Sequence, residues 1–413
     1  MVIKNVKIYT KNQCFVPGSV VVEDGEIREV ILEEEASGGD CAKERRKQEF
    51  SCGPKRGEKD DEAEWDGRGC YCMPGMIDLH FHGGVGHDFC DGTEEAIHEI
   101  AFYELRQGVT SIAPATMTLP VEELRQILRV AAGYRKEQKR RVENGTLDEA
   151  ELVGINMEGP FISPAKKGAQ DARYILPCDS ELFRVFQEEA DGLVSFIGIA
   201  PEEGEKEEVR RFIEEVKSSV TVSLAHTNAD YENAFGAFQA GAGHLVHMYN
   251  AMPPFLHREP GVIGAAADAP HVMAEIICDG IHVHPAAVRG AFRMLGKDRM
   301  IFISDSMRAA GMKDGRYTLG GQEVDVKGNR AVMVSDGALA GSVTTLPDCV
   351  RIAVRKMGIP LETAVACATV NPARSLGIDG EFGSIEVGKK ADLIFWDENL
   401  ALRQVMKRGI MVR

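Results

Sequence analysis

Several histidine and acidic side chains stand where a short apolar run of the sequence ends. These residues are His80, His82, Glu158, His226, His247, His282 and Asp305. His80 and His82 are separated by one residue, so on a strand both imidazoles point to the same face. Neutral imidazoles combined with a carboxylate suit divalent ions such as Zn²⁺ or Fe²⁺. Because no cysteine belongs to the set, the pattern favours an open catalytic metal site over a closed structural one.

Asp305 ends the last of these apolar runs, in the sequence ISDSM. A carboxylate beside a metal-activated water can take its proton and later pass it to a leaving group. Taken alone, Asp305 would be read as a helix N-cap, and each single histidine as a hydrogen-bonded core residue. The functional interpretation therefore depends on the position that all these residues share.

From residue 71 onward, apolar strand patterns alternate with helical ones. Strands are predicted at 76–82, 108–116, 152–159, 193–201, 220–226, 244–250, 273–282 and 300–306. Helices are predicted at 94–107, 121–143, 179–190, 206–217, 230–240 and 285–295. This alternation predicts an α/β protein with a (β/α)₈ TIM barrel, whose catalytic groups gather at the carboxyl ends of the strands. A doubly wound open sheet is the alternative, but no G-x-G-x-x-G turn follows the first strand.

Both chain termini show alternating β pattern, so we expect them to pair in a small β-sandwich. The predicted domains are 1–72 as its first part, 73–375 as the metal-dependent hydrolase barrel and 376–413 as its second part. Residues 33–64 are rich in charge and poor in apolar side chains, which predicts a mobile insertion. The strand pattern returns once more over 315–337, where a strand pair is expected.

Composition limits the possible partners. The 413 residues carry 48 Lys and Arg against 64 Asp and Glu, a net charge of −16, which disfavours nucleic acid as a partner. No apolar run is long enough to span a membrane. Ten cysteines in a chain without a recognisable secretion signal are expected to be thiols rather than a disulfide framework. These features predict a cytoplasmic protein.

Several motifs resemble, in order and spacing, those of the N-acetylglucosamine-6-phosphate deacetylases of the amidohydrolase superfamily. They are PGMIDLHFHG, NMEGPFI, KKGAQ, LAHTNA, HMYNAMPPFLHREPG, CDGIHV, ISDSM, LAGS and GSIEVGKKADLIFWD. The resemblance runs from about residue 70 to the end of the chain and weakly includes the first strands. HMYNAMP followed by REPG is the most specific of these motifs.

The resemblance implies metal ligands at Glu158, His226 and His247, with Asp305 as the acid and base. His80 and His82 are both retained, which implies a second metal position and so one or two ions of Zn, Fe, Mn or Co per subunit. Substrate contacts are implied at Ala169, Gln170, Asn250, Ala251, Arg258, His282, Leu339, Ala340 and Gly341. Arg258 would reach the site of a neighbouring subunit in a homodimer. Gln170 stands where family members often have a histidine that polarises the amide carbonyl.

The implied reaction converts N-acetyl-D-glucosamine 6-phosphate to D-glucosamine 6-phosphate and acetate, in amino-sugar catabolism and cell-wall sugar recycling. One alternative is the galactosamine epimer as substrate, and another is a different amidohydrolase such as a cyclic-amide hydrolase. Cyclic-amide hydrolases commonly use a carboxylated lysine at a strand end, where this chain has Glu158. A non-catalytic scaffold should have lost its ligands, and this chain retains them.

Overall fold

The computed structural model describes residues 1–33 and 63–412. The chain divides into two compact units, Met1–Gly75 with Gly380–Arg413 and Met76–Asp379. The predicted insertion at 33–64, with its cysteines, lies almost entirely outside the described residues.

The first unit contains an eight-stranded mixed sheet built from both ends of the chain. Its strands are Val2–Tyr9, Phe15–Glu23, Glu26–Leu32, Glu64–Asp66, Tyr71–Pro74, Leu393–Trp396, Leu402–Lys407 and Ile410–Val412. Asp24 and Gly25 both have positive φ, 54° and 77°, as the tight turn between the second and third strands requires. Tyr71–Pro74 pairs parallel with Val2–Tyr9 and antiparallel with Leu393–Trp396. The predicted pairing of the two termini is therefore confirmed.

The core of this sheet is aliphatic and aromatic. Ile3, Ile8, Leu393 and Phe395 are fully buried within one hydrophobic cluster, and Trp65 packs against Phe395 with ring centroids 4.5 Å apart. Apolar side chains at alternate strand positions supply this face, because successive side chains of a strand point to opposite sides.

The second unit contains the parallel strands that the sequence predicts. They are Met76–Asp78, Val109–Ile112, Ala115–Thr116, Glu151–Leu152, Ile155–Phe161, Val194–Ile199, Thr221–Leu224, His244–Leu245, Met273–Ile277 and Met300–Ile303. They form a three-stranded and a seven-stranded parallel sheet that follow one another around the TIM-like fold. The last strand segment returns to the first, because the Asp305 N–H donates to the His80 carbonyl at 3.0 Å. The predicted α/β barrel class is confirmed.

Helices connect these strands with bounds close to the predicted ones. They are Glu94–Gln107, Val121–Glu143, Ser180–Glu189, Lys206–Val216, Tyr231–Ala240, Gly261–Asp268, Pro285–Leu295, Leu346–Ile352, Leu361–Ala368 and Val370–Leu376. Their ends agree because capping residues mark them: Thr93 accepts the Ala96 N–H, and Gly108 ends the same helix at φ 101°. A helical segment of π type, Ala353–Met357, continues Leu346–Ile352.

Two expectations need correction. The strand pair expected over 315–337 is a three-stranded antiparallel sheet of Gly315–Leu319, Gln322–Lys327 and Arg330–Met333, because turns at 320–321 and 328–329 divide the segment twice. Seven cysteines of the described chain are free thiols, but Cys14 is disulfide-bonded, contrary to the expectation of thiols alone.

No helix in the described ranges is both long and apolar enough to cross a membrane.

Candidate active site

The backbone at the strand ends brings the candidate residues together. His226, His247 and Asp305 all adopt positive φ, at 43°, 26° and 49°. Such conformations cost non-glycine residues roughly 1–3 kcal/mol each and persist only where the surrounding structure holds them. At these positions the chain leaves a barrel strand and turns, so that the side chain faces the centre of the rim.

Glu158 is the centre of the cluster and is 2% exposed. Its Oε1 lies 2.9 Å from His226 Nε2 and 2.7 Å from His247 Nε2, and the two Nε2 atoms are 3.3 Å apart. Burial alone would raise the pKa of Glu158, but the charges of His226 and His80 hold it well below its usual range. Glu158 is therefore an anion under ordinary conditions.

The outer nitrogen of each of these histidines faces a backbone carbonyl. His226 Nδ1 lies 2.8 Å from the Lys166 oxygen, and His247 Nδ1 lies 3.1 Å from the Asn250 oxygen. A carbonyl only accepts, so Nδ1–H donates to it in each case, and each ring, once it gives up any proton on Nε2 to bind a metal, offers its lone pair there. Two lone pairs and a carboxylate oxygen so close together form a donor set that fits a divalent cation.

A second donor group lies beside the first. His80 Nε2 is 3.5 Å from Glu158 Oε1 and 3.8 Å from Asp305 Oδ1, and it is buried without a hydrogen-bond partner among the described residues. His82 Nε2 is 3.4 Å from Asp305 Oδ1 and 3.5 Å from Glu158 Oε2. Two overlapping sets, His80 with Glu158 and His247, and His80 with His82 and Asp305, have the spacing of metal ligands. The buried cluster therefore fits a divalent metal site.

Asp305 is 8% exposed. Burial would raise its pKa, but a hydrogen bond from His82 and the charges of His80 and His82 lower the pKa of Asp305 below its ordinary value. The carboxylate is therefore ionised at neutral pH and able to accept a proton.

These residues open onto one cavity of about 340 Å³, a size suited to a small ligand. The predicted site residues among its lining are His82, Glu158, Ala169, Gln170, His226, His247, Asn250, Ala251, His282, Asp305, Leu339, Ala340 and Gly341. His80 contributes to the donor sets without lining the cavity. Arg258 is also absent from the lining: it is exposed, and its Nη1 lies 2.6 Å from His257 Nε2.

Both polar atoms of the Gln170 side chain form hydrogen bonds. Its Nε2 donates to Glu158 Oε2 at 2.8 Å, and its Oε1 accepts the Thr118 N–H at 2.6 Å. The structure thus places Gln170 against the carboxylate of Glu158 as well as against the cavity.

Sequence reasoning missed the residues beneath the cluster, namely Glu275, His244 and Asn156. Glu275 is fully buried in the strand Met273–Ile277 and contacts the other two as well as His80. A charged residue within an otherwise apolar strand is rare, and this signal in MAEII could have identified it.

Comparison with known proteins agrees with this geometry. The model of the amidohydrolase family matches residues 71–412, so the chain belongs to the amidohydrolase family. Within curated proteins it is 37% identical over 409 residues to the N-acetylglucosamine-6-phosphate deacetylase of Bacillus subtilis (strain 168), covering 99% of this chain and 96% of that protein. It is 36% identical to an N-acetylgalactosamine-6-phosphate deacetylase of Escherichia coli O157:H7, over 81% of this chain and 86% of that one.

Solved structures give the same grouping. The N-acetylglucosamine-6-phosphate deacetylase of Pasteurella multocida superposes with a TM-score of 0.85 at 27% identity, covering 100% of this chain and 99% of that one. A mutant of the Mycobacterium smegmatis enzyme, in complex with N-acetyl-D-glucosamine-6-phosphate, superposes with a TM-score of 0.83 at 28% identity, covering 100% and 98%.

Proposed function

We propose that this amidohydrolase is an N-acetylglucosamine-6-phosphate deacetylase, which releases acetate and leaves D-glucosamine 6-phosphate. The observation that carries the proposal is the convergence of Glu158, His226, His247 and Asp305 on one cavity. The close similarity to deacetylases of this substrate supports it.

Glu158, His226 and His247 would hold a first divalent ion, and His80 and His82 a second beside Glu158 and Asp305. The ligand types accept Zn²⁺, Fe²⁺, Mn²⁺ or Co²⁺. A bound ion would lower the pKa of a water molecule to about 7 and would polarise the acetyl carbonyl. We assign residues 73–375 to the hydrolase domain and the flanking segments 1–72 and 376–413 to a β-domain.

Asp305 carries the proton. Its ionised carboxylate accepts a proton as the oxygen of water bonds to the acetyl carbon. The same carboxylic acid then gives that proton to the sugar nitrogen as the carbon–nitrogen bond breaks, because an amine is too basic to leave as an anion. The balanced products are acetic acid and the amine, which at neutral pH are acetate and the ammonium form of the sugar.

The rest of the cavity binds the sugar phosphate. His282 Nδ1 donates to Asp279 Oδ2 at 2.7 Å, which orients the ring, and this contact with the Asp279 charge raises the pKa of His282 against the opposing effect of burial. A protonated His282 favours an anionic group. Gly341 has φ 60°, and a Cβ there would lie 3.3 Å from the Asp305 carbonyl oxygen, so a larger residue would strain the loop 339–341 next to the site. Asn250, Ala251, Ala169 and Gln170 complete the contacts.

Arg258 binds the phosphate of a neighbouring subunit's substrate in a homodimer. In this chain the Arg258 side chain is exposed and does not line the cavity, while Phe255 and Leu256 beside it are each 47% exposed. Two large apolar side chains on an exposed loop suit a subunit contact, and a guanidinium suits phosphate.

Hybrid dimers test this arrangement. R258A and D305N chains carrying different tags are co-expressed, and the mixed dimer is isolated. If Arg258 acts on the other subunit, one site of each hybrid has both groups, and about half of the wild-type activity per dimer returns. Hybrids without activity would place Arg258 on its own subunit's substrate or outside the reaction.

Amine release from N-acetylglucosamine 6-phosphate tests the function itself, with the galactosamine 6-phosphate epimer and unphosphorylated N-acetylglucosamine alongside. The epimer is the second candidate because the relative from Escherichia coli O157:H7 is an N-acetylgalactosamine-6-phosphate deacetylase. We expect fast turnover of the first substrate and little of the last. Preference for the epimer would change the substrate and keep the reaction, whereas a metal-loaded protein inactive on all of them would contradict the proposal and favour cyclic amides.

We place the enzyme in the cytoplasm, in amino-sugar catabolism and cell-wall sugar recycling. The seven free thiols of the described chain support that compartment, and Cys14 runs against it. Cell fractionation followed by immunodetection tests this placement, and recovery outside the cytoplasmic fraction would contradict it.

A further inference from the structure

Glu275 lies beneath the cavity, fully buried in the barrel strand Met273–Ile277. One carboxylate oxygen, Oε2, lies 2.8 Å from His80 Nδ1 and 3.0 Å from the His247 backbone nitrogen. The other, Oε1, lies 2.9 Å from His244 Nε2 and 3.4 Å from Asn156 Nδ2. A buried carboxylate needs this many donors because burial otherwise strongly disfavours its charge.

The contact with His80 decides which nitrogen of that ring carries the proton. Both oxygens of Glu275 face groups that can only donate, the His247 backbone N–H at Oε2 and the Asn156 amide nitrogen at Oε1, which is the arrangement of an ionised carboxylate. An ionised carboxylate only accepts, so His80 must donate from Nδ1. Once the ring gives up its other proton, as metal binding requires, its lone pair lies on Nε2, which is buried between Glu158 and Asp305.

Glu275 Oε2 also contacts the first donor group, which consists of Glu158, His226 and His247. It accepts the backbone N–H of His247, whose φ of 26° is unfavourable for a residue with a Cβ. Glu275 therefore fixes the ring of one ligand by its side chain and the turn of another by its main chain.

His244 contacts the other carboxylate oxygen of Glu275. Its Nε2 faces Glu275, and its Nδ1 lies 3.0 Å from Ser375 Oγ, so both ring nitrogens are used away from the cavity. His244 is fully buried and does not line the cavity. It supports Glu275 rather than binding an ion.

From these contacts we infer that Glu275 is a positioning residue that makes His80 a ligand through Nε2 and so sets the affinity of the second metal position. This inference rests on the proposed metal-dependent function. Carboxylates that orient a ligating histidine in this way typically change metal affinity 10- to 100-fold when they are replaced. Glu275 touches the first donor group only through a backbone N–H, so that group should be affected less.

The test titrates the metal-depleted wild-type, E275Q and E275M chains with Zn²⁺ against a chelator of known affinity, with metal content checked by mass spectrometry. The wild type is expected to bind two equivalents. An amide offers one oxygen in place of two, so E275Q should weaken the second equivalent about 10-fold, and E275M, with no acceptor, about 100-fold. The first equivalent should change much less.

Glu104→Gln is the matched control, because Glu104 is a buried carboxyl group of the same unit, in the helix Glu94–Gln107, and belongs to neither donor set. It should bind both equivalents as the wild type does. Equal affinities for the second equivalent in wild type and E275Q would overturn the inference. So would a wild-type chain that binds one equivalent, although the deacetylase function would then still stand.

A second measurement is made on the wild-type chain and so does not depend on how the Glu275 variants fold. Nitrogen-15 chemical shifts of the histidines in the zinc-loaded wild type report which nitrogen of each ring carries a proton and which binds the metal, with His80 assigned by loss of its signals in H80N. We expect a proton on Nδ1 of His80 and zinc on Nε2. The opposite tautomer would overturn the inference whatever the variants do, and activity on sugar phosphates enters neither readout.

Discussion

Glu158 and Glu275 are both buried carboxylates that face two imidazole nitrogens, but the histidines around them are oriented in opposite ways. His226 and His247 donate outward to backbone carbonyls, so their lone pairs point at Glu158. His80 and His244 instead point N–H groups at Glu275. Donors satisfy a carboxylate, whereas lone pairs beside one leave a place for a cation. The direction of the hydrogen bonds therefore separates a residue that binds an ion from one that orients a ligand.

Replacing Glu158 should produce the largest effect. In E158Q the only charged member of the first donor set is lost, so we expect metal affinity at that position to fall by more than about 100-fold, beyond the range for outer partners. Deacetylation should fall to the buffer rate. Metal content after gel filtration and amine release measure the two effects. An E158Q chain that keeps a tightly bound ion would remove the distinction between the two glutamates.

Asp305→Asn should abolish proton transfer and spare the first ion. General acid and base catalysis contributes about 10²–10⁴-fold, so kcat should fall at least that far. The amide of the D305N chain cannot accept the proton of water, but Glu158, His226 and His247 remain in place. Steady-state kinetics are combined with metal analysis of the same sample. Loss of the first ion in D305N would show that Asp305 acts as one of its ligands.

Replacing Gln170 should have an intermediate effect, and it tests how Glu158 is held. In Q170A the donor to Glu158 Oε2 is lost, and hydrogen bonds to charged groups contribute about 1.5–3 kcal/mol, which corresponds to about 10- to 100-fold in metal affinity. Q170H, with the residue often found in the family, is the matched comparison. If Q170A binds metal as the wild type does, Glu158 is positioned by its histidines alone.

The sequence predicts those features that depend on local pattern. His226, His247 and Asp305 are identified because each ends an apolar run, and parallel strands bring such ends to one rim. Glu275 is missed because its partners come from residues 80, 156, 244 and 247, and only the folded barrel brings them near. The place of His244 at the start of a strand argues against a ligand role, but its contact with Glu275 is tertiary.

The conformation of single side chains also cannot be predicted from the sequence. Gln170 can be placed beside the cavity by its motif, but its hydrogen bond to Glu158 depends on the Thr118 N–H, which comes from another connection. The segment 315–337 is predicted as a strand pair, whereas the two short turns Gly320-Gly321 and Gly328-Asn329 divide it into three strands.

The smallest expected effect concerns a buried acid without histidine neighbours. Burial, with the nearby charge of Asp78, raises the pKa of Glu104 well above its usual range, and within the described chain Glu104 Oε2 has no hydrogen-bond partner. Glu104 therefore keeps its proton in the fold to a higher pH than Glu158 and Glu275 do. A protonated carboxyl group and an amide have similar shapes, so E104Q should fold normally.

The pH dependence of stability distinguishes these cases. Below about pH 4.3, the ordinary pKa of glutamate, Glu104 is protonated in both the folded and the unfolded chain. Its contribution to the free energy of unfolding is then fully present. As pH rises, the unfolded chain loses the proton first, so the wild type loses stability by up to about 1.4 kcal/mol per pH unit until the folded-state pKa is passed. E104Q lacks this loss, so its melting temperature relative to wild type should increase from pH 4 to pH 8. Calorimetry on metal-depleted samples measures the difference, because bound metal would add its own pH dependence. A difference that does not change with pH would mean that Glu104 is ionised in the fold.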